Sequence, residues 1–155
     1  MEYLETLTKL PLSFEIQKLH PALVHFPIAL LFMSLVFYIF AASKKSKGAE
    51  LVALSNMIAG TLISYAAVYT GLLAEHAVKQ TPAVHEFVEL HEKLGWGVAG
   101  FFTLMSLWGL ISYRRPGGRI IPLFLILILI GGIALGIQSY LGGYLVYDAA
   151  LGVKK

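Results

Sequence analysis

At 155 residues the chain has the length of one domain. Hydrophobic residues make up 57% of it and charged residues only 14%, where a soluble domain carries about a quarter, so lipid is the expected solvent. The net charge of +3 is too small to argue for a nucleic-acid partner, and the absence of cysteine excludes disulfides, thiolate zinc sites and covalently attached c-type haem.

Residues 1–20 open with "MEYLETLTKLPL". The first charge is negative, and Glu2, Glu5 and Lys9 interrupt the apolar run, so a cleavable signal peptide is not expected. The first apolar span must then direct insertion itself. Leu4, Leu7, Leu12, Phe14, Ile16 and Leu19 suit a segment lying on the outer membrane surface and broken at Pro11.

A spanning helix needs about 20 mostly apolar residues. Residues 21–42, 51–74, 94–113 and 120–147 qualify, and none of them contains Lys, Arg, Asp or Glu. Pro27 is interior to the first span, where it kinks a helix and frees a carbonyl one turn back. The fourth span is longer than a bilayer requires, and its Pro122 falls in the first turn, where proline is tolerated. "SKKSKGAE" and "RRPGGR" form tight basic links between the first and second and between the third and fourth spans. The middle connection, "EHAVKQTPAVHEFVELHEK", is mixed in charge. Its Thr81 suits an N-cap and Pro82 a first helical position. The expected fold is all-α: an integral membrane, antiparallel four-helix bundle over 21–147, with the surface segment 1–20 before it and a tail, 148–155, after it. Lys44, Lys45, Lys47, Arg114, Arg115 and Arg119 all lie in the two short links, which places those links in the cytoplasm and both termini outside. The expected location is the cytoplasmic (inner) membrane, crossed several times.

All five histidines then fall at the outer, periplasmic end. His20 and His25 begin the first span, His76 closes the second, His85 lies in the middle connection and His91 opens the third. At 1.5 Å per residue His25 sits about 7 Å deeper than His20, where an ionisable side chain is costly and points to function. Three chemistries can use such a cluster. Two imidazoles from different helices can hold b-type haem, with His25 and His91 the first pair and His76 and His20 next. His20, His25, His76, His85 and His91 can ligate another metal ion, helped by Glu89 and Glu92, which recur with His85 on one helix face. Histidines beside Glu75, Glu86, Glu89 and Glu92 can also handle protons. Against all three stands a plain role, hydrogen-bonding neighbouring helices.

Small residues form two stripes: Gly60, Ser64, Ala67 and Gly71 in the second span, and Gly132, Gly136, Ser139 and Gly143 in the fourth. Close helix packing is the first use of such a stripe, and clearance for a haem or quinone ring the second. Tyr65, Tyr69, Trp96, Tyr140, Tyr144 and Tyr147 suit an interfacial aromatic belt, a few of them lining a quinone or haem pocket. No G-x-S-x-G, H-E-x-x-H or P-loop occurs. An electron-transfer or accessory subunit is therefore expected before a stand-alone enzyme.

"LHPALVHFPIALL" resembles the opening motif, H-P-x-x-V-H-F-P-I-A-L, of the four-span membrane family known as domain of unknown function 2231. "GLLAEHAVKQTPAVHEFVELHEKLG" is similar to its middle part, and "GGYLVYDAALGV" to its closing G-G-x-L-V-Y-x-H-G-x-G-V. Ala149 stands where that pattern has histidine and Ala150 where it has glycine, so any ligand role of that histidine is missing in this chain. The resemblance implies a link to respiratory chains, since some members occur beside or fused to components such as Rieske-type iron–sulfur proteins. The combined expectation is a b-type haem electron-transfer subunit in contact with the bilayer, a quinone and a redox partner protein or membrane complex. The alternative is a non-redox anchor or metal-binding subunit with structural histidines.

Overall fold

The structure is a computed structural model that describes residues 19–76, 80–117 and 121–150. The surface segment expected over 1–20 therefore lies almost wholly outside the described residues, as does most of the tail. Among the described residues five helices follow in chain order: α1 (His20–Leu23), α2 (His25–Lys44), α3 (Lys47–His76), α4 (Pro82–Arg114) and α5 (Pro122–Tyr147). No strand occurs among the described residues. Four stretches of the described residues are long and apolar enough to cross a membrane: His20–Lys44, Lys47–His76, Pro82–Arg114 and Pro122–Tyr147.

Local chemistry explains the boundaries. Pro27 has no N–H to give the Leu23 carbonyl, and the first span is interrupted at Val24, between α1 and α2. At the end of α2, Lys45 turns left-handed with φ 51°, and the Ser46 amide reaches back to the Ala41 carbonyl at 3.1 Å. The Ser46 hydroxyl then accepts the Ala49 amide at 3.3 Å, which starts α3. Thr81 caps α4 as its sequence suggests, accepting the Val84 amide at 3.4 Å, with Pro82 as the first helical residue. The helix so begun runs without a break into the third apolar span, 33 residues in all.

Each helix packs on its neighbours in sequence, and α5 returns to α2. Leu31, Tyr38, Met57, Phe102, Phe124 and Ile128 are among the side chains filling the space between them. The outer surface is the greasier one: Phe32, Leu62 and Leu104 are each more than 60% exposed, while Ser34, Thr61, Ser64 and Ser106 are buried. Small and polar groups inside with large apolar groups outside is the pattern expected where lipid, not water, surrounds the protein.

Close helix approach uses different glycines from those of the expected stripe in the last span. A Cβ at Gly131 would run into Phe101 and Phe102, and one at Gly142 would lie 3.0 Å from His91, whereas Gly136 and Gly143 face open space. The second-span stripe holds at two points, since Gly60 seats Leu31 and Gly71 seats His20.

At the end of α5 the chain leaves through Ala150, whose φ is 51°. This is the left-handed region, which costs a side chain about 1–2 kcal/mol and costs glycine almost nothing. It is also the position where the resemblance puts a glycine. Ala150→Gly is expected to raise stability in detergent by about 1 kcal/mol. An unchanged or lowered thermal midpoint would count against the strained backbone.

Candidate functional site

His20 is the first residue of α1 and is partly buried. Its Nδ1 lies 2.9 Å from the Ala67 carbonyl of α3 and 3.4 Å from the Thr70 hydroxyl. A carbonyl can only accept, so Nδ1 carries the hydrogen and Nε2 keeps its lone pair. The ring rests on bare backbone, because a Cβ at Gly71 would come within 2.9 Å of its Cε1.

His91, in the third turn of α4, is placed in the same way against α5. A Cβ at Gly142 would lie 3.0 Å from its Cε1. Its Nδ1 is buried and makes no hydrogen bond of proper geometry among the described residues, the Gln138 carbonyl being the acceptor close by. The two rings meet edge to face, with centroids 6.5 Å apart and planes at 88°. Imidazoles from α1 and α4, each backed by a glycine from the helix that follows its own span, thus converge between the helices.

The other histidines are elsewhere. His25, expected to pair with His91, is exposed on the outer surface of α2. His76 is exposed, with Nδ1 2.7 Å from the Leu72 carbonyl of its own helix. His85 is exposed, with Nδ1 3.0 Å from the Gln80 side-chain oxygen. Glu75, His76, Gln80, Thr81, Pro82 and His85 line an open cleft of about 490 Å³. His85, Glu89 and Glu92 all lie on the unbroken helix α4, but they form no group that could hold a metal ion, and Glu89 bonds Lys93 at 2.7 Å. Among the described residues no three His, Cys, Asp or Glu side chains converge. Zinc and similar ions normally take three or four protein ligands.

Of the aromatic residues, Tyr69, Tyr140 and Tyr147 are 60%, 79% and 85% exposed, as a belt requires. Tyr65 bonds Thr103 at 2.9 Å and lies beside Trp96, and Tyr144 packs on Phe87. Three residues of the site escaped the sequence reading, Thr70, Gln138 and Gly142, whereas Gly71 belongs to the second-span stripe. Gln138 left a signal, being the lone side-chain amide in the last span, one turn from Gly142.

A chain whose described residues show helices and no strand, an apolar exterior, four helices of spanning length and polar groups held inside is a membrane protein with four candidate spans. It belongs to the family described as "predicted membrane protein (DUF2231)", whose model matches residues 17–155. No curated protein and no solved structure matches the chain.

Proposed function

We propose that this protein is a small membrane-bound electron-transfer subunit that holds b-type haem between His20 and His91, close to the outer face of the cytoplasmic membrane. The observation that carries the reading is the pair itself. Imidazoles from two different helices are the donors that would hold b-type haem. The rings here are separated by 6.5 Å. A two-histidine donor set is short of ligands for a bare ion but sufficient for haem, whose porphyrin supplies the rest. When bound, haem contributes a one-electron couple.

The chain's own residues prepare the pair. The Ala67 carbonyl holds His20 in the tautomer that leaves Nε2 available, and such a partner also makes the ligand more basic. Gln138 stands ready to do the same for His91. Gly71 and Gly142 let both rings lie against the backbone, which fixes their planes. The arrangement we propose around the site is an antiparallel bundle with both termini outside. Lys47 of one basic link lies over the Tyr113 ring beside the other, at the end away from the histidines, which supports that orientation under the positive-inside rule. A quinol in the bilayer and a partner redox protein outside are the donor and acceptor we propose.

One observation favours the alternative, a non-redox anchor or metal-binding subunit: His20 is already hydrogen-bonded across helices, as a structural histidine would be. A reduced-minus-oxidised spectrum of detergent-purified protein, expressed with ample haem, separates the two. The expected result is about one b-type haem per chain by pyridine haemochrome. It should be lost in His20→Ala and in His91→Ala and kept in His25→Ala. A colourless wild-type protein would sink the haem reading.

A further inference from the structure

The end of the molecule away from the histidines holds a second polar site. Lipid offers a buried polar group no partner, so bonds must come from within the protein. Most interior hydroxyls comply. Thr61 donates to the Met57 carbonyl at 2.7 Å, Ser64 to Gly60 at 2.9 Å and Thr70 to Ala66 at 3.0 Å, and Thr61 also meets Ser106 at 3.2 Å. Ser34 and Tyr38, one turn apart on α2 and each 1% exposed, have hydroxyls with no hydrogen-bond partner among the described residues.

Tyr38 is held firmly. Its hydroxyl would lie 2.7 Å from a Cβ at Gly109, and its ring stacks edge-on against Phe124 with centroids 4.9 Å apart. Beside it is a cavity of about 40 Å³ whose walls include Tyr38, Glu50, Trp108, Gly109, Ser112 and Phe124. A water needs about 10–15 Å³ measured in this way, so there is room for one or two. Glu50 is 6% exposed, a buried carboxylate at the start of a helix of spanning length. It sits in the first turn of α3, where the helix dipole favours negative charge, and Lys47 lies 2.8 Å from it.

We propose that Glu50, Tyr38 and this cavity form a buried proton-binding site that loads from the basic-link end, with ordered water joining the carboxylate to the Tyr38 hydroxyl. In loading, a hydronium O–H breaks and a carboxyl O–H forms, one water is released and no electron moves. Among the described residues, Glu50 is paired with Lys47 of its own helix and shares the cavity with Tyr38 of α2, Trp108, Gly109 and Ser112 of α4, Ile121 and Phe124 of α5, with Tyr113 beneath Lys47. Among the described residues no second carboxylate lines the cavity. The site owes nothing to the histidine pair, so a protein without haem leaves it standing.

Infrared spectroscopy of the full chain in lipid tests this. On acidification a carboxylic-acid C=O band of a buried group should grow and should shift in D2O. The band should be missing in Glu50→Gln and displaced in Tyr38→Phe, a change that removes the hydroxyl and keeps the ring. If Glu50→Gln does not fold, Tyr38→Phe decides alone. A spectrum in which no band depends on Glu50, or in which Tyr38→Phe leaves the band unmoved, would overturn the proposal.

Discussion

Gly142→Val is expected to break the histidine pair while the four long helices stay folded. The first added carbon already lies 3.0 Å from His91 Cε1, inside the roughly 3.5–4.0 Å at which carbon atoms rest, and valine adds two more. The His91 ring must leave its seat against α5, and with it the edge-to-face contact with His20. Overpacking of this kind costs about 1–3 kcal/mol, which corresponds to a roughly 5- to 160-fold loss of any group that needs both rings. Pyridine haemochrome on the purified variant reads that loss. Through-space NMR contacts between labelled histidine rings read the displacement whether or not haem is present. Gly143→Val is the matched control, because nothing lies within 4 Å of a Cβ there. Equal haem content and an intact ring contact in both variants would show that the glycine seat does not matter.

Gly131→Leu is expected to be the most destabilising single change among the glycines. A side chain at this position enters the space of the Phe101 ring, and its first carbon lies 3.0 Å from Phe102. Neither ring can retreat easily, since Phe102 is 2% exposed and the two phenylalanines are stacked edge to face at 5.5 Å. A cost of about 3 kcal/mol, the upper end for overpacking, is expected, with a large fall in the thermal or SDS midpoint. Gly136→Ala should do the reverse. Its Cβ meets nothing, and alanine gains up to about 1 kcal/mol over glycine in a helix. A destabilised Gly136→Ala beside a tolerant Gly131→Leu would restore the regular G-x-x-x-G stripe as the packing face.

The difference between those glycines shows where sequence reasoning stops. A four-residue spacing says that two small residues share a helix face, and Gly132 and Gly136 do. It does not say which way the face points. Adjacent residues on a helix are about 100° apart, so the true contacts at Gly131 and Gly142 lie only one position from members of the stripe. The histidines carry the same lesson. His20 and His25 are five residues apart, about 140° around a helix, so both cannot face one partner. The sequence favoured the deeper of the two; packing on Ala67, Thr70 and Gly71 selects His20.

By itself the sequence determined the four apolar spans, the proline break in the first of them, the Thr81 cap, the family and the confinement of histidine to one end. Each rests on local rules: the length that crosses a bilayer, the missing proline N–H, the hydroxyl that satisfies a free amide. Only the tertiary structure decided that His20 meets His91, that glycines seat both rings, and that Tyr38 and Glu50 share a cavity far from them. Those contacts join residues tens of positions apart. They depend on how each helix is rotated against its neighbours, a property of all the packed faces together that no single span contains.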